Sequence, residues 1–89
     1  MRIALVGYGK MGHIIRSVAE KAGHTVALTV DVAASDADVL VAKGDGAAVS
    51  SAIASSGVDG IIEFSHPSAV MTNIEALLPM GIPIVVGTT

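Results

Sequence analysis

Three glycines near the start of the chain have the spacing of a phosphate-binding loop. They belong to the G-x-G-x-x-G run Gly7, Tyr8, Gly9, Lys10, Met11 and Gly12. In such a run the first glycine makes a tight turn, the second leaves room for a pyrophosphate, and the third lets a helix pack against a strand. The free N–H groups at the start of that helix would face the phosphates. Residues 7–12 therefore predict a dinucleotide-binding loop.

An acidic residue stands where a ribose contact is expected. Asp31 ends the apolar run 26–30 and lies roughly 20 positions past the last glycine. A carboxylate there can accept hydrogen bonds from the adenosine ribose hydroxyls, although an acid that only begins a turn is the alternative. Residues 32–34 carry no Arg or Lys for a 2′-phosphate, so NADH is favoured over NADPH. Lys10 is either a phosphate contact or an exposed lysine at the helix start.

The other candidate residues follow two later apolar runs. Phe64, Ser65 and His66 come after the run 60–63, and Gly87, Thr88 and Thr89 come after the run 84–86. His66 precedes Pro67, so it is either a cofactor contact or a helix cap. We interpret His13 and His24 as solvated polar positions and Met11, Met71 and Met80 as packing residues. The sequence indicates no metal site and no nucleophile with a base near it, so no catalytic residue is assigned.

Composition limits the function classes. The 89 residues suffice for one small domain, and a content of 52% hydrophobic and 15% charged residues suits a buried parallel sheet covered by helices. The absence of cysteine excludes disulfides, thiolate zinc sites and a cysteine nucleophile. A net charge of −3 without a basic cluster argues against nucleic-acid or membrane-surface binding. The apolar runs are too short to span a bilayer, and we expect a cytoplasmic protein.

The elements that would position these residues alternate along the chain. We expect strands at 2–7, 26–30, 60–64 and 84–86, and helices at 10–22, at 46–56 with Asp45 as the N-cap, and from Pro67 onward. The segment 39–42 is either an edge strand or a helical turn. The last helix should bury Val70, Ile74, Leu77 and Leu78 and stop near Pro79.

This alternation predicts a fold class. Strands joined by right-handed helical crossovers form a Rossmann-type α/β domain with three αβα layers and a mostly parallel sheet of four or five strands. The strand order is 3-2-1-4-5 if 39–42 is a strand. The loops at 7–12, 31–34, 64–67 and 87–89 would then meet at the carboxyl edge of the sheet, where ligands bind in such folds.

The motifs together carry a family resemblance over the whole chain. VGYGKMG at 6–12, F-S-H-P at 64–67, and the segment EALLPMGIP followed by V-V-G-T-T at 85–89 resemble the amino-terminal domain of dihydrodipicolinate reductase. The resemblance implies reduction of a cyclic dihydrodipicolinate or its hydroxylated precursor by NAD(P)H, in lysine and diaminopimelate biosynthesis. It also implies that residues 7–12 bind pyrophosphate, Asp31 the ribose, residues 64–66 the nicotinamide side, and residues 87–89 the carboxamide and ring.

The resemblance also sets the expected domain organisation. Lys10 and Glu63 stand where the family commonly has Arg and Asp. The family continues with a carboxy-terminal domain that holds the substrate-binding and catalytic residues and the sheet of a homotetramer. Residues 1–89 are thus expected to be a dinucleotide-binding domain that is inactive alone. The alternatives are a non-catalytic NAD-sensing module or the cofactor domain of an aspartate- or homoserine-type dehydrogenase.

Overall fold

The computed structural model describes residues 1–87, which form a parallel five-stranded sheet between helices. The strands are β1 Arg2–Val6, β2 Thr25–Asp31, β3 Val39–Leu40, β4 Gly60–Glu63 and β5 Ile84–Val86. The helices are α1 Lys10–Lys21, α2 Gly46–Ala54 and α3 Pro67–Leu77, and a 3-10 turn Leu78–Met80 follows α3. The strand order β3-β2-β1-β4-β5 confirms the predicted Rossmann-type fold. The ambiguous segment 39–42 contains a two-residue edge strand.

Alternation along β1 divides the core between the two faces of the sheet. Ile3 and Leu5 pack on the same face as Ala19 of α1. Ala4 and Val6 face the opposite side of the sheet. The core on that side includes the buried residues Val49 and Ile53 of α2 and Leu77 of α3. Successive side chains of a strand point to opposite faces, so each strand of the centre serves both layers. The glycine loop at 7–12 leaves β1 between these layers.

The buried face of α3 differs from the prediction at one end. Val70 and Leu77 are buried and Ile74 is half-buried, but Leu78 is 65% exposed, so its predicted burial is wrong. The α-helix ends at Leu77, and the 3-10 turn that contains Pro79 changes the direction of the next side chain. Ala69 and Asn73 are the other buried residues of α3, and the Asn73 amide donates to the Ser65 hydroxyl. This amide therefore points toward the sheet, near the end of β4.

Two methionines interpreted as packing residues are exposed. Met11 is 40% and Met71 is 63% exposed, whereas Met80 is half-buried against the core. On α1 the apolar positions Ile14 and Val18 are also exposed. The helix instead buries the small residues Gly12 and Ala19, which bring its axis close to the sheet.

The helix ends follow the local sequence signals. The Asp45 side chain accepts a hydrogen bond of 3.0 Å from the N–H of Ala48 and so caps α2. Gly23, after α1, and Gly57, after α2, have left-handed φ angles of 92° and 67°. The longest helix, α1, has 12 residues. Within residues 1–87 no helix combines the length and apolar character needed to cross a membrane.

Candidate functional site

The three glycines of the loop meet different surroundings. A Cβ on Gly7, whose φ is +104°, would lie 2.3 Å from the Phe64 carbonyl oxygen. A Cβ on Gly12 would lie 2.6 Å from the Gly7 carbonyl oxygen. By contrast, no atom of residues 1–87 lies within 4 Å of a Cβ built on Gly9. Gly7 and Gly12 are therefore required by contacts within the protein, whereas Gly9 borders open space.

That open space adjoins the start of α1. Gly9 is the N-cap residue, with an extended backbone at φ −82° and ψ −156°, and none of the described side chains caps the helix. The first N–H groups of a helix have no partner inside it, and they lie at the positive end of its dipole. An anion in the space beside Gly9 could accept hydrogen bonds from these groups.

Asp31 joins the glycine loop to the loop that follows β2. Its Oδ1 accepts a hydrogen bond of 2.8 Å from the N–H of Tyr8. Its Oδ2 accepts from the N–H groups of Ala33 at 3.0 Å and Ala34 at 2.7 Å. Partial burial by itself would raise the pKa of Asp31, but these backbone donors outweigh it and leave the pKa below its usual value. The carboxylate is thus ionised, and Oδ1 keeps a lone pair for a further donor.

Tyr8 contributes to the loop through its backbone. Its side chain is buried on the α1 face of the sheet, and the hydroxyl accepts a 3.1 Å hydrogen bond from Nη1 of Arg16. The ring also stacks against His13, with the ring centroids 4.0 Å apart. The Tyr8 ring therefore anchors the loop to α1 and does not line the clefts described below.

Most of the predicted site residues line one cleft of about 290 Å³ at the carboxyl edge of the sheet. Its lining consists of Gly7, Gly9, Lys10, Met11, Gly12, Asp31, Phe64, Ser65 and His66. Three separate segments of the sequence thus meet here. The exposure of Met11 has a local explanation, since its side chain forms part of this wall.

A second cleft of about 240 Å³ shares Gly7, Asp31, Ser65 and His66 with the first. The rest of its lining is largely apolar and includes Val6, Val30, Val32, Val41, Val49 and Ala69. Lys43 and Asn73 add polar groups. A nucleobase, which is flat and has polar edges, would fit such a pocket.

Sequence reasoning missed Lys43. It comes from the loop after β3, and only the strand order places that loop beside the loop after β2. Lys43 lines the same cleft as Asp31. The absence of Arg and Lys from residues 32–34 therefore does not mean that no cation lies near Asp31.

A buried glutamate organises the loop after β4. Glu63 is fully buried, and its Oε1 accepts hydrogen bonds from the hydroxyl of Ser65 and, at 2.9 Å, from its N–H. Asn73 donates to the Ser65 hydroxyl at 3.2 Å. Within residues 1–87 the Oε2 atom has no hydrogen-bond partner. Burial raises the pKa of Glu63, and the hydrogen bonds from Ser65 and Asn73 only partly offset that effect.

Gly87 lies against the ring of Phe64. A Cβ at this position would be 2.5 Å from the ring carbons, and the Gly87 N–H donates to the Glu63 carbonyl oxygen at 2.9 Å. The residue after β5 is therefore held close to the cleft that Phe64 lines. The predicted contacts of Thr88 and Thr89 lie outside the described residues.

The histidines divide into three cases. His66 caps α3, since its Nδ1 accepts from the N–H of Ser68 at 3.2 Å, and it also lines both clefts. His24 lines neither cleft, and its interpretation as a solvated residue is wrong for one ring nitrogen, because the residue is half-buried and its Nδ1 is shielded from solvent. His13 is exposed, in line with its interpretation as a solvated polar residue, but its ring also lies within hydrogen-bonding distance of Gly9 and Asp36.

Comparisons with known proteins agree with the geometry. The whole chain, residues 1–89, matches the family described as dihydrodipicolinate reductase, N-terminus. It is 33% identical to the 4-hydroxy-tetrahydrodipicolinate reductase of Cupriavidus necator and 30% identical to that of Christiangramia forsetii, over 100% of its own length in both cases. The same enzyme of Mycobacterium marinum is 33% identical over 100% of the chain.

The matched region is a minor part of each relative. The chain spans 37% of the Cupriavidus protein and 31% of each of the other two. The resemblance in the glycine loop, the F-S-H-P segment and the V-V-G-T-T segment thus extends to a family-wide match over every residue of the chain. The chain belongs to the dihydrodipicolinate reductase family, in which it corresponds to the amino-terminal domain.

Proposed function

We propose that this chain is the NADH-binding domain of an oxidoreductase that acts in lysine and diaminopimelate biosynthesis. Its substrate would be a cyclic dihydrodipicolinate-type compound, since the family is named for dihydrodipicolinate and the relatives for 4-hydroxy-tetrahydrodipicolinate. The observation that carries the proposal is the open space at Gly9, which lies at the start of α1 and in the cleft that Asp31 also lines. An anion site and a ribose acceptor are thereby combined at the carboxyl edge of one sheet.

Different residues of the two clefts would contact different parts of the cofactor. The pyrophosphate would lie against residues 7–12 and the first turn of α1, and the adenosine ribose would donate to Asp31. The adenine would occupy the apolar cleft beside Val32 and Val41. Phe64, Ser65 and His66 would border the nicotinamide, together with Gly87 and the two threonines that follow it. NADH supplies the hydride when it is bound, and the residues of this chain would bind and orient it.

Two charged residues favour different forms of the ribose. The Asp31 carboxylate accepts from a 2′-hydroxyl but repels a 2′-phosphate, whereas Lys43 in the same cleft would attract the phosphate. Asp31 follows β2 directly and is fixed by three backbone N–H groups, while lysine is a flexible cation. NADH is therefore the preferred cofactor, with the preference reduced by Lys43.

Titration of the protein with NADH and with NADPH, followed by nicotinamide fluorescence or calorimetry, tests the proposal. NADH should bind more tightly. Lys43→Met should weaken NADPH binding and leave NADH binding nearly unchanged, while Lys21→Met, a lysine that lines neither of these clefts, serves as the matched control. Equal affinities for the two nucleotides would refute the preference, and the absence of binding by either would refute the proposed function.

Residues 1–89 alone should not catalyse the reduction. Positioning a substrate against a cofactor can lower a barrier by roughly 7–11 kcal/mol, and a dicarboxylate substrate needs cations to hold it. Of the described residues, the glycine-loop cleft contains one lysine, Lys10, and the apolar cleft contains one, Lys43. The substrate-binding groups would belong to a carboxy-terminal domain of a cytoplasmic homotetramer. Loss of reduced-nicotinamide absorbance above background, in a mixture of this chain with NADH and dihydrodipicolinate, would contradict this division.

A further inference from the structure

We propose that His13 is a positioning residue whose imidazolium form joins the glycine loop to residues 32–38, the loop after β2. The glycine loop lines the cleft assigned above to the pyrophosphate, and Val32 of the 32–38 loop lines the adjoining cleft, so the inference rests on the proposed NADH binding. His13 itself would not touch the cofactor. It would act through the Gly9 peptide, which borders the pyrophosphate space.

The geometry requires a proton on each ring nitrogen. His13 Nδ1 lies 2.7 Å from the Gly9 carbonyl oxygen, and Nε2 lies 2.6 Å from Oδ2 of Asp36. A carbonyl oxygen and a carboxylate only accept hydrogen bonds, so both ring nitrogens must donate, and only the cationic form of histidine donates from both. Stacking on the Tyr8 ring, with centroids 4.0 Å apart, holds the imidazolium in the plane that reaches both acceptors.

The bridge complements the one made by Asp31. Asp31 holds the N–H of Tyr8 together with those of Ala33 and Ala34, at the start of the 32–38 loop. The His13 ring contacts the Gly9 carbonyl oxygen in the glycine loop and the Asp36 carboxylate in the 32–38 loop. The two loops are thereby connected at two points. The Gly9 carbonyl oxygen also accepts from the backbone N–H of His13 at 3.1 Å. Loss of the ring contacts would therefore leave Gly9 bound to the start of α1 but no longer connected through His13 to the 32–38 loop.

The charges around His13 determine when the bridge exists. The hydrogen bond to the Gly9 carbonyl and the pairing with Asp36 raise the pKa of His13 above 6.5, against opposing effects of desolvation and of Arg16 on its own helix. Tyr8 is the titratable group that faces the ring from the glycine loop, and Asp31 acts on Asp36 from the end of β2. The bridge is complete below this pKa and is lost as the pH rises through it.

NADH affinity measured between pH 6 and pH 9 tests the proposal. For the unmodified protein the affinity should fall roughly threefold to tenfold, the equivalent of one hydrogen bond, across the titration of the His13 ring followed by NMR. His13→Gln, which keeps one amide donor, should bind with lower affinity and without this pH step. His24→Gln is the matched control and should retain the step, because His24 lines neither cleft.

Asp36→Ala distinguishes positioning from simple attraction between a cation and the phosphates. Positioning predicts weaker NADH binding in this variant, because the bridge is broken. Attraction predicts tighter binding, because a negative charge near the site is removed. Tighter binding by Asp36→Ala, or NADH binding that does not change across the His13 titration, would overturn the inference. A complete failure of the unmodified protein to bind NADH at pH 6 would instead refute the proposed function.

Discussion

The glycine loop, residues 7–12, and the 32–38 loop lie side by side at the same edge of the sheet but are held by different forces. The glycine loop is shaped by close packing, since Gly7 and Gly12 leave no room for a Cβ. The 32–38 loop is shaped by hydrogen bonds to a carboxylate, since Asp31 accepts from the N–H groups of Ala33 and Ala34. No substitution should be tolerated at Gly7 or Gly12, because a side chain has no room there. The 32–38 loop, which depends on hydrogen bonds, should instead respond to pH and to conservative substitutions.

The largest effect on stability is expected for Gly7→Ala. Its positive φ would cost about 1–3 kcal/mol, and the overlap of the new methyl group with the Phe64 carbonyl would add about 1–3 kcal/mol. A small domain has little stability in reserve, so extensive unfolding is expected near room temperature. Urea denaturation followed by circular dichroism measures the loss.

Gly23→Ala is the matched control for this substitution. Gly23 has a similar φ of 92°, but the position that its Cβ would occupy has no atom of residues 1–87 within 4 Å. Its variant should therefore show the backbone strain without the overlap. If the two variants lost equal stability, packing at Gly7 would not define the glycine loop.

An intermediate effect is expected for Asp31→Ala. The substitution removes the acceptor of three backbone N–H groups and should lower the free energy of unfolding by about 1–3 kcal/mol. It should also narrow the difference in affinity between NADH and NADPH by about 1–2 kcal/mol. Thermal denaturation and nucleotide titration of the same sample provide both values.

Asp38→Ala offers a comparison at the far end of the 32–38 loop. Asp38 Oδ2 accepts from the N–H of Thr29 at 2.9 Å and from its hydroxyl at 3.1 Å, outside both clefts. Its loss should reduce stability and leave the preference between the two nucleotides unchanged. A similar change of preference in both variants would show that Asp31 acts only by holding the loop.

The smallest effect is expected at Glu63. Because burial raises its folded-state pKa, this group favours folding below the ordinary value of 4.5, and that contribution is lost as the pH rises through the folded-state pKa. Glu63→Gln keeps the acceptor for Ser65 and removes the ionisation. The melting temperature of the variant, relative to that of the unmodified chain, should therefore increase between pH 4.5 and pH 7. A constant difference over this range would show that Glu63 does not titrate on unfolding.

The sequence was sufficient for the features that depend on local pattern. Gly7, Gly9 and Gly12, the strand order and the meeting of Asp31 with Phe64, Ser65 and His66 follow from motif spacing and from the right-handed crossovers. These features can be predicted because they follow from what the backbone itself allows. The strands and helices could be placed for the same reason.

The features that the sequence did not predict depend on contacts between distant segments. Lys43 joins the apolar cleft because β3 lies beside β2, and His13 meets Asp36 because α1 passes beside the 32–38 loop. No local periodicity contains this information. The exposure of Leu78 has a local cause instead, because the α-helix ends one residue earlier than its apolar pattern.

The central claim is that the space beside Gly9 receives a pyrophosphate, and Gly9→Ala tests it most directly. The backbone at Gly9 is extended and suits any residue, and no atom in the described part of the chain lies within 4 Å of the added methyl group. The variant should fold with a stability within about 1 kcal/mol of the unmodified chain. Its affinity for NADH should fall by at least about tenfold, which corresponds to about 1.4 kcal/mol. Unchanged NADH affinity in a folded Gly9→Ala protein would contradict the account.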